Sequence, residues 1–327
     1  MKPCAIALLA AACALAQPLT LEKRIPLGNI EGRIDHMVAD VTGHRVFVAA
    51  LGNNSVEVVD TPAGQVIRSI TGLKHPQGIL FWPAGHRFYV ANADDGRVTV
   101  FDASSYAVLR TYDLNGGDAD NIRFDPEVKE VLVGYGDGAL AFISAPLGSR
   151  VGDAMLDAHP ESFQLERKGP RVFVNIPEAP NGAHVTVLDR RTRSVTAKWP
   201  LPPGVAQNFP MALDEPSHTL FIGCRKPAQL LAVDTRSGQM TVASTIPGDA
   251  DDLFFDGQRN RIYVSGGEGA IAVIARNKAG QYETLATLAT AKGARTSLFV
   301  PEFRELFVAV PHHGKQRPEL LVYRVAD

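Results

Sequence analysis

The 327-residue sequence predicts an all-β chain, a single seven-bladed β-propeller of four-stranded antiparallel blades. Three observations predict it. A unit of about 42 residues recurs along the chain. Within each unit, runs of alternating β-branched and aromatic residues are separated by Gly, Asn, Asp and Pro turns. The two ends of the repeat array carry complementary parts of one unit.

The repeat is read from an anchor that follows the first strand of each unit, at Asp40, Trp82, Asp125, Glu166, Asp214, Asp256 and Pro301. The separations are 42, 43, 41, 48, 42 and 45 residues, the spacing of four-stranded propeller blades. Unit two shows every element. Gly78-Ile79-Leu80-Phe81 is the first strand and Arg87-Phe88-Tyr89-Val90-Ala91-Asn92 the second. Arg97-Val98-Thr99-Val100-Phe101-Asp102 is the third, and Ala107-Val108-Leu109-Arg110-Thr111-Tyr112 the fourth. The second strand recurs at Val46-Phe47-Val48, Val131-Leu132-Val133, Val172-Phe173-Val174, Leu220-Phe221-Ile222, Ile262-Tyr263-Val264 and Leu306-Phe307-Val308. The last unit has only three strands after Arg295, and residues 19–28 resemble the missing fourth. Pairing them would close the ring and hide both edges.

Ahead of the repeats lies a different composition. Lys2 precedes an unbroken apolar run from Ala5 to Ala16, too short for a bilayer span of roughly 20 residues. Its length and the Ala14-Leu15-Ala16 ending fit a cleavable signal peptide over residues 1–16, with the propeller domain over 17–327. Lipidation at Cys13 is the rival, disfavoured because the apolar run continues past that cysteine. A periplasmic or secreted, monomeric protein without a transmembrane span is expected. Cys224 is then the one cysteine of the domain and reads as a buried apolar residue. A net charge of -2 offers no field to recruit nucleic acid.

Tyr89-Val90-Ala91-Asn92 followed by Val98-Thr99-Val100-Phe101-Asp102 resembles the YVTN-type β-propeller repeat family, and the resemblance runs over essentially the whole domain. Blades three and four depart most, with Gly134-Tyr135 and Asn175-Ile176 after the second strand. The resemblance implies the propeller fold, and relatives that include lactonases and metal-dependent hydrolases. Activity has to be argued from the site.

In a propeller the first strand of each blade lines the central channel, so residues just before it reach the top mouth. Five positions before each anchor stand Asp35, Gln77, Asp120, Glu161, Phe209, Asp251 and Thr296. Seven before stand Arg33, His75, Asp118, His159, Gln207, Asp249 and Ala294. His36, Asn121, Ser162 and Asp252 lie four before, and Asn208 and Arg295 six before. The second-to-third strand loops share that face and add Arg225, Lys226, His312 and His313.

A mouth so rich in carboxylates suits a divalent cation (Ca²⁺, Mg²⁺, Mn²⁺ or Zn²⁺), with Asp35, Asp120, Glu161 and Asp251 as candidate ligands. The candidate ligand-binding set is His36, His75, Gln77, Asp120, Asn121, His159, Glu161, Asn208, Asp251, Arg295, Arg225 and His312. The blander alternative is that Asp118-Ala119-Asp120 and Asp249-Ala250-Asp251 form a turn that recurs with the repeat. His44, His86, His184 and His218 read as surface residues. No Gly-x-Ser-x-Gly, His-Glu-x-x-His or phosphate-cradling loop is present. The expectation is a binding or scaffold module for a protein or small-molecule ligand on the top face. The alternative is a divalent-metal-dependent lactonase or related hydrolase.

Overall fold

The structure, a computed structural model, describes residues 17–327. The leader assigned to residues 1–16 lies outside them. Twenty-eight strands form seven four-stranded antiparallel sheets, and no α-helix occurs among the described residues. No helix there is long and apolar enough to cross a membrane.

Six of the sheets run from the channel outward in chain order. In the second blade the order is Pro76–Trp82, Arg87–Asn92, Arg97–Asp102 and Val108–Asp113. The second strands are the most buried because blades pack on both of their faces. Arg87–Asn92 is covered from Phe88 onward, whereas Val108–Asp113 is almost entirely exposed. The third-to-fourth strand pairing shifts register in all seven blades, for example at Val58/Val59, Val100/Phe101 and Phe142/Ile143. Such bulges add the twist that lets flat sheets fan around an axis. The seventh sheet joins Ser297–Val300, Glu305–Val310 and Glu319–Val325 to Leu19–Pro26. Leu19 stands opposite Val325 and Pro26 opposite Glu319.

The hydrophobic core is divided among the interfaces between blades. Val46 and Val48 of the first blade pack with Phe307, Leu320 and Ile25 of the seventh; Tyr89 and Val100 of the second pack with Ile122 and Val133 of the third. Cys224 is fully buried in one such cluster, and burial pushes its thiol up to about 12, so it is chemically quiet.

The sequence anchors acquire a physical meaning here: they end the inner strands and hold the turns that follow. Asp40 accepts the Gly43 amide at 2.9 Å and pairs with Arg45 at 2.6 Å. Asp256 accepts the amides of Gln258 and Arg259 and pairs with the Arg259 side chain at 3.0 Å. Glu166 pairs with Arg171.

Candidate binding site at the channel mouth

Where the inner strands begin, the chain crosses from a top turn into the channel wall. His75, Asp118, Gln207 and Asp249 all take left-handed φ values between 50° and 60° at this crossing. Asp tolerates that conformation well. The Asp-Ala-Asp triplets are therefore recurring turns, and their second carboxylates are nonetheless delivered to the axis. Asp35, Gln77, Asp120, Glu161, Phe209 and Asp251 converge with His36, His159, Arg33, Arg225 and Arg295 on a cavity of about 240 Å³.

The arginines divide the carboxylates into two groups. Arg33 Nη2 lies 3.0 Å from Asp35 Oδ2. Arg225 pairs with Asp251, donates Nε to the Ala250 carbonyl at 2.9 Å, and lies flat on the Phe209 ring, 3.7 Å from its centroid. Arg295 bonds Asp249 at 2.9 Å and stands 3.9 Å from Asp251. Asp120 and Glu161 have no arginine within 4 Å among the described residues. Asp120 is 5% exposed, and its Oδ1 has no hydrogen-bond partner.

The two histidines are held differently. His36 has acceptors on both sides, Asp252 Oδ1 at 3.3 Å from Nδ1 and Asp35 Oδ1 at 3.6 Å from Nε2. Burial opposes its charge, but Asp252, Asp35 and Asp120 together hold its pKa well above the ordinary value. That environment favours its protonated form, which competes with a metal for its ring nitrogens. His159 instead engages the Gly136 carbonyl through Nδ1 at 2.7 Å, which presents Nε2 to the cavity. One ring nitrogen of His159 and carboxylate oxygens of Asp120 and Glu161 lie within 4.8 Å of one another.

Burial, with repulsion from Asp251, pushes the Glu161 carboxyl up to about 8. Burial and Glu161 raise Asp120 well above the carboxylate range, and burial with Asp35 raises Asp251. These groups and His36 bind protons more tightly in the folded chain than in the unfolded one. Stability is therefore fully present below the unfolded pKa values and lost as pH rises through the folded ones. The lowered carboxylates, such as Asp102 and Asp113, act below about pH 4 and outside this window. Chelator-treated protein should lose stability steadily from pH 5 to pH 9 in denaturant titrations, and Glu161→Gln should flatten the slope. A stability that rises over that range would contradict the arrangement.

The cavity also depends on a glycine. A Cβ on Gly78 would lie 2.2 Å from the Asp120 carbonyl oxygen of the next blade. Gly78→Ala should destabilise the fold by about 1–3 kcal/mol in chemical denaturation and displace Asp120. Wild-type stability in that variant would show that the blades part without strain.

Four sequence-derived candidates do not line the mouth. His75 is a left-handed turn residue whose ring turns outward to Asp94 at 2.7 Å. Asn208 is fully buried and donates to Asn175 and to the His184 carbonyl, joining two blades. His312 bonds Glu31 at 2.7 Å in a neighbouring cavity. Asn121 sits beneath the mouth, where it donates to Asp120 at 3.3 Å. His184 is not on the surface either: it is 5% exposed and bonded to Asp157 and Thr186. Arg123 was not singled out by the sequence, although it breaks the apolar pattern two positions before the anchors.

No family model matches the chain, so the YVTN resemblance rests on the repeats themselves. Over 74 residues the chain is 35% identical to an uncharacterized protein, YncE, of Salmonella typhimurium and 34% identical to YncE of Salmonella typhi. The match is 23% of this chain and 21% of each relative, so the chain spans about a fifth of the length of the curated relatives it matches. Among solved structures, it superposes on a chain of Kuenenia stuttgartiensis hydrazine synthase with TM-score 0.79 and 14% identity, over 91% of this chain and 98% of that one. A chain of a mitotic checkpoint complex matches with TM-score 0.76 and 15% identity, over 100% and 98%. At such identities these neighbours show the fold alone, and they include both an enzyme and an assembly component.

Proposed function

We propose that this chain is an exported binding module whose channel mouth takes a divalent cation on Asp120, His159 and Glu161. Export is supported by the apolar leader in the sequence. One observation carries the site: Asp120 Oδ1 is buried and lacks a hydrogen-bond partner, and a carboxylate oxygen of Asp120 gathers with one of Glu161 and a ring nitrogen of His159 within 4.8 Å. Two carboxylates and one imidazole suit Zn²⁺ or Mn²⁺ better than the all-oxygen shell that Ca²⁺ prefers. Asp35 and Asp251, expected as ligands from the sequence, already have arginine partners. The Gly136 carbonyl supplies the outer hydrogen bond that fixes a ligating histidine.

The test is a thermal-shift titration of chelator-stripped protein against Ca²⁺, Mg²⁺, Mn²⁺, Zn²⁺ and Cu²⁺. A native-state site at a hundredfold excess over Kd adds about 2.7 kcal/mol. A saturable rise with Zn²⁺ or Mn²⁺ supports the site, and a flat response to all five rejects it.

A second reading, a metal-assisted lactone or ester hydrolase, is favoured by the Glu161 carboxyl. Held near 8, it can exchange a proton close to neutral pH. In that case Asp120 and His159 would bind the ion and Glu161 would move the proton. Glu161→Gln would then keep ion binding but lose ester turnover, whereas in the binding reading it weakens the ion itself.

A further inference from the structure

Below the mouth the channel widens into a cavity of about 410 Å³, within the range of roughly 300–1,000 Å³ typical of small-molecule sites. Its wall is built from the inner strands and mixes polar with apolar surface, the apolar part including Val38, Leu80, Leu213, Phe254, Leu298 and Phe299. Arg123 stands in this wall. Two positions before the anchor the other blades carry Val38, Leu80, Gln164, Ala212, Phe254 and Phe299, so Arg123 is the one charge in a sevenfold-related ring.

Its guanidinium has few partners. Nη1 donates to the Ile122 carbonyl at 2.9 Å, Nη2 to Asn121 Oδ1 at 3.3 Å, and the group lies 5.7 Å from the Phe163 ring centroid. Among the described residues no carboxylate comes within 4 Å of it. Of the two acids that act on it, Asp252 is engaged elsewhere: it faces His36 and accepts the Ser297 amide at 2.8 Å. Burial lowers the Arg123 pKa against the opposing pull of Asp252 and Asp120. A partly buried cation without a close counter-ion is unfavourable, and an anion entering the channel would relieve it. Arg167 lines the same cavity and adds positive charge.

We propose that this channel binds an amphiphilic monocarboxylate, its carboxylate on Arg123 and its aliphatic tail against the apolar residues of the inner strands. The guanidinium fork matches a carboxylate, and the apolar part of the wall offers a tail the burial that a bare inorganic anion could not use. The site is separate from the cation-binding groups above, and its test is run in chelator so that the two readings fail independently.

Calorimetry with sodium octanoate on the chelator-treated chain should show saturable binding. Acetate, which lacks the tail, and octanol, which lacks the charge, should each bind at least tenfold more weakly. Arg123→Gln should reduce octanoate affinity at least tenfold while leaving octanol binding unchanged, and Arg123→Lys should fall between. Wild-type protein that binds octanol as well as octanoate would overturn the proposal. So would Arg123→Gln binding octanoate like wild type. If Arg123→Gln fails to fold, the octanoate, acetate and octanol comparison on wild type decides.

Discussion

The double variant Asp120→Asn with Glu161→Gln should bind Zn²⁺ or Mn²⁺ roughly a hundredfold more weakly than wild type, or not at all. Even outer-shell partners of a metal contribute about 10–100-fold, and here two ligands are removed. Both substitutions keep side-chain size. The variant should also be more stable than wild type without metal at pH 8, because it removes two carboxyls raised by burial, Asp120 also by Glu161 and Glu161 also by Asp251. Gaining stability while losing ion affinity is the mark of a binding site rather than a structural ion pair. The contrast is Asp35→Asn with Asp251→Asn, which would leave Arg33, Arg225 and Arg295 short of partners. That pair should destabilise the fold and weaken the cation far less. Isothermal titration and denaturant midpoints on both double variants check the expectation; equal effects on ion affinity would contradict the division.

The second large effect lies at the opposite end of the channel wall. Asp256→Ala should destabilise the propeller by about 3–5 kcal/mol, the usual consequence of removing one partner of a buried ion pair. Asp256 is 4% exposed and accepts from the Gln258 and Arg259 amides, the Tyr263 hydroxyl and the Arg259 guanidinium. Arg259 in turn donates to the Ala326 carbonyl at 3.0 Å, so the loss would spread to the C-terminal end. Asp256→Asn keeps the acceptor for the turn amides and should fall about midway. Urea denaturation followed by tryptophan fluorescence measures both. A loss below about 1 kcal/mol for the alanine variant would mean that the pairing contributes little beyond its desolvation.

These two regions show what was legible in the sequence. Asp40, Asp125, Glu166 and Asp256 marked the repeat because in those blades a carboxylate accepts the amides of the turn that follows. Counting five back from the anchors then reached Asp35, Gln77, Asp120, Glu161, Phe209 and Asp251, which share one cavity because the blades keep their period. The count misplaced Asn208 because the strand Ala206–Asp214 shifts register between Asn208 and Met211. It misplaced His75, whose ring pairs with Asp94 at 2.7 Å instead of reaching the mouth. His312 lies in a loop that has no counterpart in the repeat, so no period predicts its direction. The pairing of arginines with carboxylates was also hidden. Arg225 meets Asp251 across two blades, 26 residues apart, and only the assembled ring shows that Asp120 and Glu161 are left without one. Arg123 was legible in principle, as a charge where its equivalents are mostly apolar.

The most direct test of the cation site is calorimetric titration of chelator-stripped protein with Zn²⁺ and Mn²⁺ at pH 7, in two buffers of different ionisation enthalpy. One saturable site is expected, with net proton release as the Glu161 carboxyl, held near 8, and the raised Asp120 carboxyl give up protons to the incoming cation. In Glu161→Gln that release should fall. An absence of saturable heat, or binding that persists unchanged in the Asp120→Asn, Glu161→Gln variant, would contradict the site.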